Sequence, residues 1–82
     1  MNIYVSNLSF QAMDLDVRTL FSAFGEVKSA RVVMDNFTRR SRGCAFVEMA
    51  EPAAALRAIE RLNNSSFMQK TISVREAMSD KK

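Results

Sequence analysis

Arg42-Gly43-Cys44-Ala45-Phe46-Val47-Glu48-Met49 sorts its side chains onto two sides when the chain is extended. Successive residues of a strand point to opposite faces, so Arg42, Cys44, Phe46 and Glu48 share one side and Ala45, Val47 and Met49 the other. The second set is apolar and suits a core. Upstream, Ile3-Tyr4-Val5-Ser6-Asn7-Leu8 has the same arrangement, with Tyr4 and Ser6 opposing Ile3 and Val5. Burying Tyr4 and Phe46 would expose Ile3, Val5, Ala45 and Val47, so the alternation predicts two aromatic rings on the open face of a sheet. Such a ring is a platform on which an unstacked base can lie flat.

Between these two strands, Val17, Leu20, Phe21 and Phe24 recur at helical spacing and predict a helix from about Asp14 to Phe24. Asp14 and Asp16 complement the free amides of its first turn, and Gly25 is expected to stop it. Val27 to Met34 is rich in β-branched residues and predicts a second strand with Ala30 and Val32 inward and Arg31 and Val33 outward. Asp35 to Arg42 is polar and is expected to be a loop before a third strand from Gly43 to Met49. Pro52 suits the first residue of a second helix, whose stripe Ala55, Ala58, Ile59, Leu62 ends at Asn63-Asn64. Phe67 is expected to return to the core before a last strand from Thr71 to Arg75. The order strand-helix-strand-strand-helix-strand implies an α+β, ferredoxin-like βαββαβ sandwich: a four-stranded antiparallel sheet with both helices on one face.

An 82-residue chain, 48% hydrophobic, fits one domain with one core, here expected over residues 1–77 with a short charged tail at 78–82. Its net charge of +3 is compatible with a polyanionic partner. Cys44 is the only cysteine and there is no histidine, so no internal disulfide and no zinc site are expected, and the commonest general acid/base is missing. No apolar run approaches the ~18 residues of a membrane span, and no leader-like segment precedes the first strand, so the expectation is a cytoplasmic chain without a membrane partner.

The octapeptide and hexapeptide, in this order and at this distance, resemble the two signature motifs of the RNA recognition motif family. The resemblance runs from Asn2 to about Ala77 and takes in Asn7-Leu8-Ser9-Phe10, Leu20-Phe21, Phe24-Gly25 and Ser41-Arg42-Gly43. It implies a module for single-stranded RNA, or single-stranded DNA, working without a cofactor and without catalysis. Tyr4 and Phe46 match the stacking positions, and Arg42 matches the leading basic residue, expected on phosphate. Cys44 stands where the family usually has a second exposed ring, and a thiol is too small for that role. Met49 replaces a common Phe at an inward position that Met fills well.

Arg39 stands where relatives often have Gly, and with Arg40 and Arg42 it makes three arginines in four residues, a cationic patch expected beside the stacking face. Phe37 either adds a ring to the site or packs at the base of its loop. Arg31, Ser73 and Arg75 fall on the open face by alternation and are expected to supply polar contacts. Glu48, near the same face, would repel phosphate. The alternative function is a protein-interaction module on the same scaffold, favoured by Met13 and Leu15, which stand where relatives usually have a capping and an acidic residue. An enzyme of the same topology would need a Gly-rich phosphate cradle or a Cys-x-x-Cys pair, and the sequence has neither.

Overall fold

The alternation in the octapeptide becomes burial on one side of a strand: Ala45, Val47 and Met49 are buried, whereas Arg42 and Phe46 are exposed. The computed structural model describes residues 1–77; the expected tail at 78–82 lies outside the described residues. Its elements are β1 (Asn2–Ser6), α1 (Asp14–Ser22), β2 (Val27–Met34), β3 (Ser41–Met49), α2 (Pro52–Leu62), β4 (Ser66–Phe67), β5 (Lys70–Thr71) and β6 (Ser73–Glu76). The main sheet has the order β2-β3-β1-β6 with every neighbouring pair antiparallel. Both signature strands therefore lie at its centre.

Both helices contribute to a single core. Val17 and Phe21 of α1 and Ala54, Ala55, Ala58 and Leu62 of α2 join Ile3, Val5, Ala30, Val32, Val47, Ile72 and Val74 in it. Phe21 is the largest fully buried side chain, and truncating it to Ala should cost about 3–5 kcal/mol, a large share of a small domain's stability. Pro52 occupies the first turn of α2 as its fixed φ favours. Asn63, just past the helix end, turns its side-chain oxygen to accept the Val74 amide at 2.9 Å, which ties α2 to β6.

Four boundaries differ from the sequence expectation, each for a local reason. α1 ends at Ser22, and Phe24 leaves the helix while still packing on the core. Gly25 is not a left-handed stop; a Cβ there would meet the Ala54 Cβ at 2.8 Å, so glycine is needed for close passage over α2. β3 starts at Ser41, two residues early, because the turn before it closes tightly: the Asp35 amide donates to the Arg40 carbonyl at 2.8 Å. The last strand is split. Met68 and Gln69 both have positive φ (52° and 69°), the backbone of a two-residue hairpin turn, and they join β4 to β5 before β6 begins. Neither residue is one of the Asn, Asp or Gly that usually announce such a turn.

The first turn of α1 is also wired differently. Asp16 accepts the Met13 amide at 2.9 Å, but Met13 at the N-cap has no side-chain oxygen to return the bond. Asp14 reaches out of the helix and accepts the Val32 amide at 2.8 Å. That carboxylate occupies an outward-facing donor of β2, an edge strand of the sheet.

Candidate nucleic-acid interface

Register builds the site. Arg31 of β2 lies opposite Phe46 of β3, Phe46 opposite Tyr4 of β1, and Tyr4 opposite Arg75 of β6. A single row therefore crosses all four strands as cation, ring, ring, cation. The two ring centroids are 5.2 Å apart with planes tilted by 50°, a spacing favourable for an aromatic pair. The Arg75 guanidinium carbon sits 5.1 Å from the Tyr4 centroid and adds a cation–π contact. Because these four side chains alternate with Ile3, Val5, Ala45, Val47 and Val74, they stand on the face away from the helices.

The next row toward one end of the sheet is Cys44, Ser6 and Ser73. Its side chains are small, so the platform narrows to two rings. Cys44 has a second part that its residue type did not announce: it lies close enough to the Tyr4 hydroxyl to act on its titration. Hydrogen bonding with the Cys44 side chain, followed by desolvation, raises the Tyr4 pKa above its ordinary value, while the nearby charges of Arg75 and Arg42 pull it down. Tyr4 is therefore a neutral phenol at physiological pH. The row on the other side holds Ser29, Glu48 and Asn2, so the carboxylate lies one row from the rings.

The structure divides the expected arginine patch. Arg42 is the member whose charge acts on Tyr4. Arg39 and Arg40 instead line a hollow with Phe10, Met13 and Met34 beside the β2 edge. Arg39 has φ of 62°, a left-handed backbone that costs a side-chain-bearing residue about 1–2 kcal/mol and that explains why glycine suits this position. Asp35 holds the turn in place: its carboxylate accepts the Phe37 and Thr38 amides at 2.7 and 3.1 Å, and its carbonyl accepts the Arg39 amide at 2.9 Å. Those two amides keep the Asp35 pKa below the usual carboxylate range. Phe37 is 95% exposed, so it does not pack at the base of the loop.

Phe10 was legible as a landmark but not as a surface feature. Its ring lies against Gly43, where a Cβ would come within 3.2 Å of it, and Lys70 Nζ stands 5.8 Å from its centroid. Gly43 itself has φ of 79°, so steric and backbone demands both exclude a side chain there. Among the described residues no group of three or more His, Cys, Asp or Glu could hold a metal ion. No helix among them is long and apolar enough to cross a membrane.

A βαββαβ sandwich with an open sheet face carrying two rings between two arginines defines a class of surface suited to unpaired bases. The model of the RNA recognition motif family matches residues 3–73, and the chain belongs to that family. It is similar to RbpD of Nostoc sp., 42% identical over 77 residues that cover 94% of this chain and 82% of that one. Among solved structures, the crystal structure of RNA-binding protein PG1 is 43% identical with a TM-score of 0.95, covering 100% of this chain and 99% of that one. A Sex-lethal protein–RNA complex is 35% identical with a TM-score of 0.87, covering 93% of this chain and 47% of that chain.

Proposed function

We propose that residues 1–77 form a binding module for single-stranded RNA, which stacks two bases on Tyr4 and Phe46 and draws its backbone along the flanking arginines. The observation that carries this reading is the row Arg31, Phe46, Tyr4, Arg75, with both rings on the face that the helices leave open. A base over either ring gains stacking that every base can supply, worth about 1–3 kcal/mol. Arg31 and Arg75, at the two ends of the row, are spaced to meet phosphates or base edges on either side, and Arg42 adds charge beside Tyr4. Ser73 supplies a hydroxyl one row away, while Glu48 turns the backbone away from its own end of the sheet.

Membership of the RNA recognition motif family and the likeness to a protein solved with RNA support this assignment. Single-stranded DNA offers the same rings and charges to the face, and the sugar hydroxyl is what would separate the two. The single cysteine fits a reducing compartment such as the cytoplasm. The test is fluorescence anisotropy of labelled random-sequence single-stranded RNA, its DNA counterpart and an RNA duplex. Saturable binding to the single strand, weakening as salt rises, with duplex much weaker, is the expected result. Equal affinity for the duplex would assign the arginines to a shape-blind electrostatic surface and remove the rings from the mechanism.

A further inference from the structure

We propose that the hollow between the start of α1 and the end of β2 is a docking site for an acidic peptide carrying large apolar side chains. Two adjoining hollows, of about 450 and 480 Å³, share Met13 and Met34 in their walls; Phe10 lines the first and Leu15 the second. These four side chains are 71% (Phe10), 60% (Met13), 70% (Leu15) and 47% (Met34) exposed. Scattered along the sequence, they are brought into one strip by the fold. Isolated exposed apolar residues need no explanation, but a contiguous strip does.

The strip is also maintained against local preference. An N-cap favours Ser, Thr, Asp or Asn, whose oxygen would cap a free amide of the first turn, yet Met13 stands there and makes no side-chain cap. Leu15 follows at an exposed first-turn position where an acidic residue would suit the helix dipole. Both positions give up helix stability for apolar surface. Methionine is suited to such a surface, because its flexible thioether chain repacks around differing partners.

Charge selects the occupant. Arg39 and Arg40 line the first hollow and Arg31 the second, whereas the one carboxylate in either wall, Asp14, already accepts the Val32 amide. A cationic rim around an apolar floor complements a peptide with Asp or Glu around Leu or Phe anchors. Nucleic acid fits this floor less well. Phe10 supplies its only ring, at one extremity, and Met13, Leu15 and Met34 offer no plane for a base.

The experiment is an amide chemical-shift titration of the isotope-labelled chain with a short synthetic peptide having Leu and Phe at helical spacing and Asp or Glu between them. The same peptide with Lys in the acidic positions and a random-sequence single-stranded RNA oligonucleotide are run in parallel. Expected are shifts centred on Met13 to Leu15 and Met34 with the acidic peptide, and at least about tenfold weaker binding of the lysine peptide. L15S, which removes apolar surface without adding charge beside Arg31, should weaken the acidic peptide severalfold while leaving RNA affinity unchanged. M13S should also weaken it and yet raise the thermal midpoint, which separates a docking defect from a folding defect. Equal binding of the acidic and lysine peptides, or shifts centred on Tyr4 and Phe46, would overturn the proposal. Saturable shifts at Met13, Leu15 and Met34 with the RNA instead of the peptide would assign the hollow to nucleic acid.

Discussion

The centre of the sheet and its β2 edge present opposite solutions to exposing apolar surface. At the centre, Phe46 and Tyr4 are held in register by paired strands on both sides, tilted against each other at 5.2 Å and flanked by Arg31 and Arg75. At the edge, Met13, Leu15 and Met34 are flexible chains on a helix start and the last residue of an outer strand. Rigid rings on a fixed backbone favour a flat ligand met in one geometry, and flexible chains beside a turn favour a partner that can be accommodated in several. Both surfaces are rimmed by arginine, so charge alone does not distinguish them; the shape and stiffness of the apolar groups do.

Truncating the rings should break the central surface without disturbing the edge. Tyr4→Ala and Phe46→Ala are each expected to lose about 1–3 kcal/mol of single-stranded RNA binding in a fluorescence titration. Their thermal midpoints should stay near that of the parent, since neither ring belongs to the buried core. The arginines come next. Replacing Arg39, Arg40 and Arg42 together by Gln should flatten the dependence of log affinity on log salt by about 0.7 for each phosphate that is no longer neutralised, with most base preference retained. Measured singly, Arg42→Gln should account for one such step, because it is the member beside Tyr4. Parallel slopes in the triple variant and the parent would make the turn a bystander.

Much of the central surface was legible because a strand has period two: once Ile3, Val5, Ala45 and Val47 were assigned to the core, Tyr4 and Phe46 had no other side to occupy. The neighbour relations were not legible. That Arg31 and Arg75 share a row with the rings is a property of register between strands far apart in sequence, and so is the nearness of Cys44 to the Tyr4 hydroxyl. The edge was half legible. Met13 and Leu15 stood out as apolar residues at capping and acidic positions, but Met34 and Phe10 join them only when β2 is laid beside α1. The turn at Met68-Gln69 was hidden because its residues carry none of the usual chemistry for positive φ.

Cys44 limits the platform and acts on the hydroxyl of one of its rings. Cys44→Phe should add stacking area, for a gain of roughly 1 kcal/mol in RNA affinity by the same titration. Unchanged or weaker binding would mean that the strand does not pass over this row. At the edge the smallest effect is expected: Met13→Ser should complete the cap that Asp16 begins and raise stability by about 0.5–1 kcal/mol in chemical denaturation, with RNA affinity unchanged. A fall in RNA affinity would join the edge to the nucleic-acid surface.

Tyr4 is the only tyrosine of the chain, which has no tryptophan, so its intrinsic emission reports on a single point of the central row. Titrating the unmodified protein with single-stranded RNA while recording that emission tests the stacking account directly. Quenching should follow the same saturation curve as anisotropy of the labelled RNA, because a base lying on the ring removes its excited state. RNA that saturates by anisotropy while Tyr4 emission stays constant would place the bound strand away from the rings and contradict the account.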